Sequence, residues 1–398
     1  MSKAIIVGGG IAGSVAAMAL QRAGIEATVF EAHPEGADEA GAFLTLAVNG
    51  LDALRTLDLN RQVMRAGFPT RRIRFVSGSG KALGEMPIGG ELSDGTVTRT
   101  LKRPDLYRVL RDEAVRRGIR IEHGRRLIDA HPTTKGGVVC RFEDGSEAEA
   151  DVLVGADGVH SRTRGLIDAD NPAPRHIPLS NVGGYTRVNN HGGDEGAYVM
   201  LFGYRAFFGY TLDPSGEIWW FANTPSPEPL SREQLSSLAS KEGLARLAQY
   251  FSEDAGPAAE IIRNTESIVA TNTYDLPRVP RWTRDSLVVI GDAAHAASPS
   301  SGQGASMAIE DAIVLARCLR DEPSSREALA AYERSRRPRV ERVVALGARS
   351  SANKALGPIG RAIRDLVLPI ALKHLARQSQ DWLFRHHIEW DEPAPVEA

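Results

Sequence analysis

Two glycine-rich turns carry the residues whose types and spacing could do chemistry. Near the start, Gly8, Gly10 and Gly13 satisfy G-x-G-x-x-G between an apolar run, "AIIVG", and a helical stripe of Val15, Ala16, Ala19 and Leu20. In such a turn the first glycine permits the bend. The second lets backbone approach a pyrophosphate, and the third lets helix and strand pack closely. Ala12 belongs to the same turn, and the helix start beside it offers partial positive charge to phosphate. Glu31 ends the next strand, "ATVFEA", 18 residues after Gly13. A carboxylate there accepts from both adenosine ribose hydroxyls and repels a 2′-phosphate, so this turn suits FAD or NAD and not NADP.

The second turn separates those two. It lies in "GDAAHAASPSSGQGASMAIEDA", residues 291–312. The strand "SLVVIG" delivers Gly291 and Asp292 at its carboxyl end, where ligands sit in open α/β sheets. A carboxylate at Asp292 can accept from a polyol hydroxyl. Pro299, Gly302 and Gly304 follow and open a helix at Ala305, whose N-terminus favours negative charge such as that on a reduced isoalloxazine. An extended FAD fits both turns: ADP on the first, ribityl chain at Asp292, flavin ring at residues 299–305. NAD would leave the second turn unemployed.

The elements that must position these turns follow from periodicity. Strand, glycine turn, helix and strand make a βαβ half-unit with a parallel sheet. A helix is expected from Pro104, with Leu106, Leu110 and Ala114 at four-residue spacing. "IRIEHG" reads as a strand, and residues 137–158 as a hairpin turned at Asp144-Gly145 followed by a buried strand. Residues 175–270 change character: "GAYVMLFGYRAFFGYTL" and "EIWWFANT" are aromatic, strand-like runs, followed by one helical stretch at about 231–253. From Ala305, the residues Ile309, Ala312, Ile313, Ala316 and Leu319 mark a long helix. The expected fold class is α/β with a mixed α+β insertion. A Rossmann-type FAD-binding domain (1–72, 97–175 and 271–345) is interleaved with an aromatic-rich β-sheet substrate domain (73–96 and 176–270), and a helical segment (346–398) braces both.

The bulk numbers agree with that plan. The chain has 398 residues, 42% apolar and 25% charged, as a globular protein does. A net charge of −2 gives no broad case for nucleic acid. The two cysteines, Cys140 and Cys318, form no CxxC pair, and His386-His387 lacks partners for a metal site, so no metal is expected. No secretion leader or membrane span is expected, and the setting is read as cytoplasmic. The apolar run at residues 366–372, interrupted by Pro369, reads as a packed terminal helix, with membrane-surface contact as the lesser alternative.

Three motifs in order, "GGGIAG", "DVLVGADGVHSRTR" and the stretch at 291–312, resemble those of the single-component (group A) FAD-dependent aromatic hydroxylases of the para-hydroxybenzoate hydroxylase type. The resemblance spans most of residues 3–345. It implies that Gly8, Gly10, Gly13 and Glu31 hold ADP and that Asp292 holds the ribityl chain. It implies that Asp157 is the acid of the middle motif, linked to FAD and NADPH handling. Arg103 in "LKRPDLYRVL" is similar to an arginine set against FAD, and Thr45, in the run at 41–49, to a ribityl or flavin contact. Two departures stand out. Ser306 replaces a frequent asparagine, and "EGADEAGA", with Asp38 and Glu39 before Gly41, replaces a region that often carries arginine.

Several residues keep two readings. Asp157 serves either function or the turn at Gly158. Arg162 and Arg164 are either solvated or phosphate-contacting. His295 reads first as a structural hydrogen-bonder and second as an acid or base. Trp219, Trp220, Phe221, Tyr204, Phe208 and Tyr210 read mainly as sheet core, and alternation allows only half of them to face one side. Of these, Tyr210, Trp220 and Phe221 are the candidate wall for a planar substrate.

The resemblance implies a monooxygenase in which NADPH or NADH transiently reduces FAD. O₂ then adds to give a C4a-hydroperoxide, and one oxygen passes to an aromatic or polycyclic phenol, tetracycline-type antibiotics included. The flavin carries the chemistry, so no side chain is assigned a catalytic role. The alternatives are a flavin reductase or dehydrogenase without oxygen transfer, and a non-enzymatic flavin-binding redox sensor. A monomer or homodimer is expected.

Overall fold

The structure is a computed structural model that describes residues 2–34, 42–189, 193–352, 357–375 and 380–392. Asp38, Glu39 and Gly41 lie outside the described residues, as does most of the C-terminal "EPAPVEA". The architecture is mixed α/β and rests on two large sheets. The first has six strands in the order Thr283–Arg284, Leu287–Val289, Val152–Gly155, Lys3–Val7, Glu26–Glu31 and Arg120–His123. All but the first pair are parallel. Parallel strands are covered on both faces, which is why "AIIV" and "VLVG" read as unbroken apolar runs.

The first helix, Ile11–Arg22, is buried from Ile11 to Leu20 and packs on the long helix Gly304–Asp321. This all-round burial explains its alanine-rich composition: small side chains let two helices and a sheet approach closely. Helix Arg103–Arg116 starts one residue before Pro104 and packs on the same first helix.

The second large sheet has seven strands in the order Ile268–Asp275, Arg175–Thr186, Ile218–Pro225, Phe207–Leu212, Ala197–Phe202, Arg72–Ser77 and Ala82–Pro87. The segment 72–87, most of it in the range 73–96 assigned to the substrate domain, thus supplies its edge. The helical stretch expected over about 231–253 is two helices, Arg232–Ser237 and Lys241–Gln249. Ser240 ends the run because its hydroxyl accepts from the Gly243 N–H at 3.0 Å and starts a new helix. A side chain at Gly243 would meet the Ser237 carbonyl at 2.3 Å, so the two helices meet at a glycine.

The long helix Ser325–Ala352 and the helix Pro358–Leu375 follow. The first contacts the turn at Pro299–Ser301, and the second lies on the edge strand Ala82–Pro87. Among the described residues, no helix is long and apolar enough to cross a membrane.

Candidate functional site

The first turn folds as its glycines require. Gly8 has φ +102°, and a Cβ there would stand 2.4 Å from the Ala156 carbonyl oxygen. A Cβ on Gly13 would stand 1.9 Å from the Gly8 oxygen. Gly10 differs: its nearest neighbour would be the Tyr107 ring at 3.8 Å, so its outer side is open. The helix that starts at Ile11 has no side-chain cap and no acid in its first turn, which leaves its positive end for an anion. Glu31 is buried and accepts from the N–H of Gly9 (2.7 Å) and of His33 (2.8 Å). Each oxygen keeps a lone pair for a ribose hydroxyl.

The second turn lies against the first. Gly291 has φ +59°, and a Cβ there would fall 3.1 Å from Ala12 Cβ and 3.2 Å from Ala308 Cβ. Its N–H donates to Asp311 Oδ2 at 2.9 Å. Asp292 is exposed, and its Oδ1 would be the nearest neighbour, at 3.9 Å, of a Cβ on Gly304. The turn Pro299–Ser301 ends on Gly302 at φ +62°. Gly304 and Ala305 then open a helix with no side-chain cap and no acid in its first turn. Arg103 donates from Nε to the Tyr107 hydroxyl at 3.0 Å. Burial works against its charge, but Tyr107 and Asp292 outweigh it and hold the guanidinium firmly protonated. Gly10 thus neighbours Tyr107, which Arg103 bonds, and Asp292 neighbours Gly304, each group beside an uncapped helix start.

This arrangement fits FAD on its own terms. The glycine turns leave backbone room, the helix ends suit the pyrophosphate and the flavin edge, and Glu31 and Asp292 suit the two polyol regions.

Other expected site residues lie elsewhere. Asp157 is engaged in its own turn: Ser161 Oγ (2.5 Å), Thr163 N–H (3.0 Å) and Thr163 Oγ1 (3.1 Å) all donate to its carboxylate. Its side chain organises the end of Val152–Gly155 and the start of the helix that follows. Arg164 is buried and donates to the carbonyls of Ala293 and Val159, whereas Arg162 is exposed and donates from Nε to the Ile128 carbonyl. Thr45 donates to the Tyr198 hydroxyl at 3.1 Å. On the strand Phe43–Leu46, alternation turns Thr45 with Phe43 toward the large sheet.

His295 is a structural hydrogen-bonder. It donates from Nε2 to Asp311, which also accepts from Arg336 Nε at 2.8 Å. Burial raises the Asp311 carboxyl, but His295 and Arg336 outweigh it and hold the group well below the usual range. Ser306 is fully buried, its Oγ has no hydrogen-bond partner, and a Cβ on Gly50 would meet that oxygen at 2.6 Å. Opposite Gly50 there is little space for a longer side chain.

The residues that sequence reasoning missed are charged. Glu310 is fully buried and ion-paired with Arg336 (2.8 Å) and Arg339 (2.8 Å), and it accepts from Asn49 Nδ2 at 2.7 Å. Asn49 also reaches Gln303, the residue before the helix opens. Two adjacent acids within the apolar stripe of "AIEDAIVLA", with "RRPRVER" to follow, were the available signal.

The aromatic sheet divides as alternation demands. Phe208, Tyr210 and Trp220 face a core closed by Leu244, Leu247 and Phe251, and Trp220 Nε1 donates to Thr265 Oγ1 at 2.9 Å. Tyr210 and Trp220 are thus structural and not a substrate wall, since their strand positions point away from the cofactor turns. Phe221 and Trp219 face the other way, toward Phe43 at 6.2 and 5.7 Å between ring centres. Gly209 makes room for Phe221: a Cβ there would meet its ring at 2.5 Å. Lys102 lies over Tyr185 (4.5 Å) and Trp219 (5.2 Å) at the rim.

Comparison with known proteins agrees with this geometry. The family model for an FAD binding domain matches residues 1–346. Aurachin C monooxygenase/isomerase of Stigmatella aurantiaca is 31% identical over 349 residues, 86% of each chain. The 3-amino-4-hydroxybenzoate 2-monooxygenase PtnB3 of Streptomyces platensis is 33% identical over 347 residues, 85% of each. The crystal structure of Klebsiella pneumoniae HpxO complexed with FAD and uric acid superposes with a TM-score of 0.81 at 24% identity, covering 96% of this chain and 95% of that one, which shows a shared fold. The chain belongs to the FAD binding domain family, and within it to the single-component flavoprotein monooxygenases.

Proposed function

We propose that this protein hydroxylates a planar, electron-rich aromatic or polycyclic small molecule at the expense of NADPH or NADH. The observation that carries the reading is the pair of uncapped helix starts, at Ile11 and Gly304, whose glycine turns meet where Gly291 lies against Ala12. Bound FAD supplies the acceptance of two electrons from the nicotinamide and the activation of O₂. The chain's own residues bind, orient and exclude. Backbone N–H groups after Gly10 hold the pyrophosphate, and Glu31 and Asp292 hold hydroxyls. The N–H groups of Gly304 and Ala305 stabilise negative charge on the ring edge.

Phe43 and Phe221 supply aromatic surface against which a flat ring can stack. By its name PtnB3 acts on 3-amino-4-hydroxybenzoate, and HpxO is complexed with uric acid. Both compounds are flat and electron-rich, which supports the same substrate class here. Tetracycline-type compounds belong in the test set. The sensor alternative has little chemical support: burial pushes the Cys140 thiol up to about 12 and Cys318 up to about 11.

The test is NAD(P)H consumption by the FAD-loaded protein in the presence of phenols, heteroaromatics and polycycles, with product mass under ¹⁸O₂. One ¹⁸O per product supports hydroxylation. Stimulated NAD(P)H oxidation with no labelled product supports the reductase instead.

A further inference from the structure

Gln303 stands where the helix Gly304–Asp321 opens, and its carboxamide can sit only one way round. The residue is 1% exposed, and its Oε1 accepts from Asn49 Nδ2 at 3.1 Å. The same Nδ2 gives its other hydrogen to Glu310 Oε1 at 2.7 Å. Glu310 is an ionised carboxylate, paired with Arg336 and Arg339 at 2.8 Å each, so it only accepts. Asn49 must therefore turn its NH₂ group toward Glu310. Gln303 must in turn offer Asn49 its carbonyl, because two NH₂ groups cannot bond each other there. An amide held by its oxygen presents its own NH₂ group elsewhere. Two buried arginines thus fix, through Glu310 and Asn49, the direction of a donor at the cofactor turn.

That donor is unused by the protein. Among the described residues, Gln303 Nε2 has no hydrogen-bond partner. Asn49 Oδ1 and Ser306 Oγ also lack partners, but those two atoms are sealed from solvent and Nε2 is not. Open polar hydrogens on an otherwise buried side chain are what a ligand would satisfy. The helix that follows has no side-chain cap, so the N–H groups of Gly304 and Ala305 are open as well. Three consecutive residues carry donors with no acceptor in the chain.

We propose that Gln303 donates from Nε2 to the isoalloxazine edge of bound FAD, and that Asn49 is the positioning residue that keeps it pointing there. The inference rests on the flavin ring lying at the second turn, as in the reading above. Contiguity with the N–H groups of Gly304 and Ala305 favours the ring over a substrate oxygen as the acceptor. The ring edge gains negative charge on reduction, so a fixed donor binds the reduced cofactor more tightly than the oxidised one. Gln303 thereby raises the reduction potential of the bound flavin.

The test is the midpoint potential of the FAD-loaded protein at neutral pH without substrate, from dithionite titration under argon beside a reference dye. In Gln303→Glu one oxygen still accepts from Asn49, while the other puts negative charge where Nε2 was. The preference for reduced over oxidised FAD should fall about tenfold or more, a potential about 30 mV lower or more for a two-electron couple. Gln303→Met removes the donor without adding charge. It should shift the potential the same way by less, and it keeps the test readable if the acidic variant fails to take up FAD. Asn49→Ala should also lower the potential. Asn49→Ala/Gln303→Met should lie no lower than Gln303→Met, since Asn49 acts through Gln303. The proposal is overturned if FAD-loaded Gln303→Met keeps the wild-type potential, including the case in which it loses only substrate binding. Additive shifts in the double variant overturn the role of Asn49. A wild type that refuses FAD overturns the placement of the ring as well, whereas an unchanged potential in a loaded variant overturns this inference alone.

Discussion

Arg164 donates from Nη1 to the carbonyl oxygen of Ala293 at 3.0 Å, and this bond ties the middle motif to the turn that presents Asp292. Its second donor, Nη2, holds Val159 at 2.8 Å. Burial pulls the guanidinium below its ordinary value, and the charge of Asp157 works the other way. Arg164→Met should leave two carbonyls without a donor and cost about 1–3 kcal/mol of stability. Arg164→Lys should recover little, because one ammonium does not replace a planar fork. Thermal melting with and without FAD checks this. A melting temperature unchanged in Arg164→Met would remove Arg164 from its tethering role.

Glu31 organises the first turn as well as facing a ligand. Glu31→Ala removes the acceptor of two backbone N–H groups, at Gly9 and His33, together with the ribose contact. Hydrogen bonds to a charged group are each worth about 1.5–3 kcal/mol, so FAD affinity should fall about 10- to 100-fold or more. Glu31→Gln keeps acceptor capacity on one oxygen only and should lie between. Flavin fluorescence titration of apo-protein gives the values. Equal affinity in wild type and Glu31→Ala would mean that ADP does not sit here.

What was legible in the sequence is what short-range geometry dictates. Gly8, Gly13 and Gly291 had to be glycine for close approach, and their spacing exposed a parallel α/β fold with its two turns before any coordinate was known. The side chains whose partners lie far away in sequence were not legible. Asp157 and Thr45 matched a family pattern, but their hydrogen bonds to Ser161, Thr163 and Tyr198 had no signature in the sequence. Tyr210 and Trp220 were one residue out of phase with Phe221, and in a strand that single step exchanges the wall of a pocket for the core behind it. Glu310 and Arg336 were hidden because burial of an ion pair leaves no periodic trace.

The two faces of the strand Ile218–Pro225 should therefore respond differently. Trp220→Ala opens a cavity in a closed core and should cost about 3–5 kcal/mol whether or not substrate is present. Phe221→Ala lies on the face shared with Phe43. It should leave the melting temperature within a few degrees of wild type while raising KM for the accepted aromatic about tenfold or more. Steady-state kinetics beside thermal melts separates the pair. A Phe221→Ala variant with wild-type KM would place the substrate elsewhere.

His386 and His387 should give the protein opposing pH dependences. Burial, then the charges of Arg339, Arg336 and His387, push His386 down to about 4 against the pull of Glu310. Unfolded, its pKa is about 6.5, so the unfolded chain binds the proton first. Its contribution to stability is therefore complete above about pH 6.5 and is lost as pH falls toward 4. For His387, burial works against the charge but the hydrogen bond with Asp52 outweighs it, and its pKa is raised. That contribution is complete below about pH 6.5 and is lost as pH rises through the folded value. Against burial, Arg336 and Arg339 hold the Glu310 carboxyl below its ordinary value, and His295 and Arg336 hold that of Asp311 well below it. Melting temperature measured from pH 7 to pH 4 should fall less in His386→Gln than in wild type, and more in His387→Gln. Parallel curves for the two variants would show that neither ring titrates as its surroundings require.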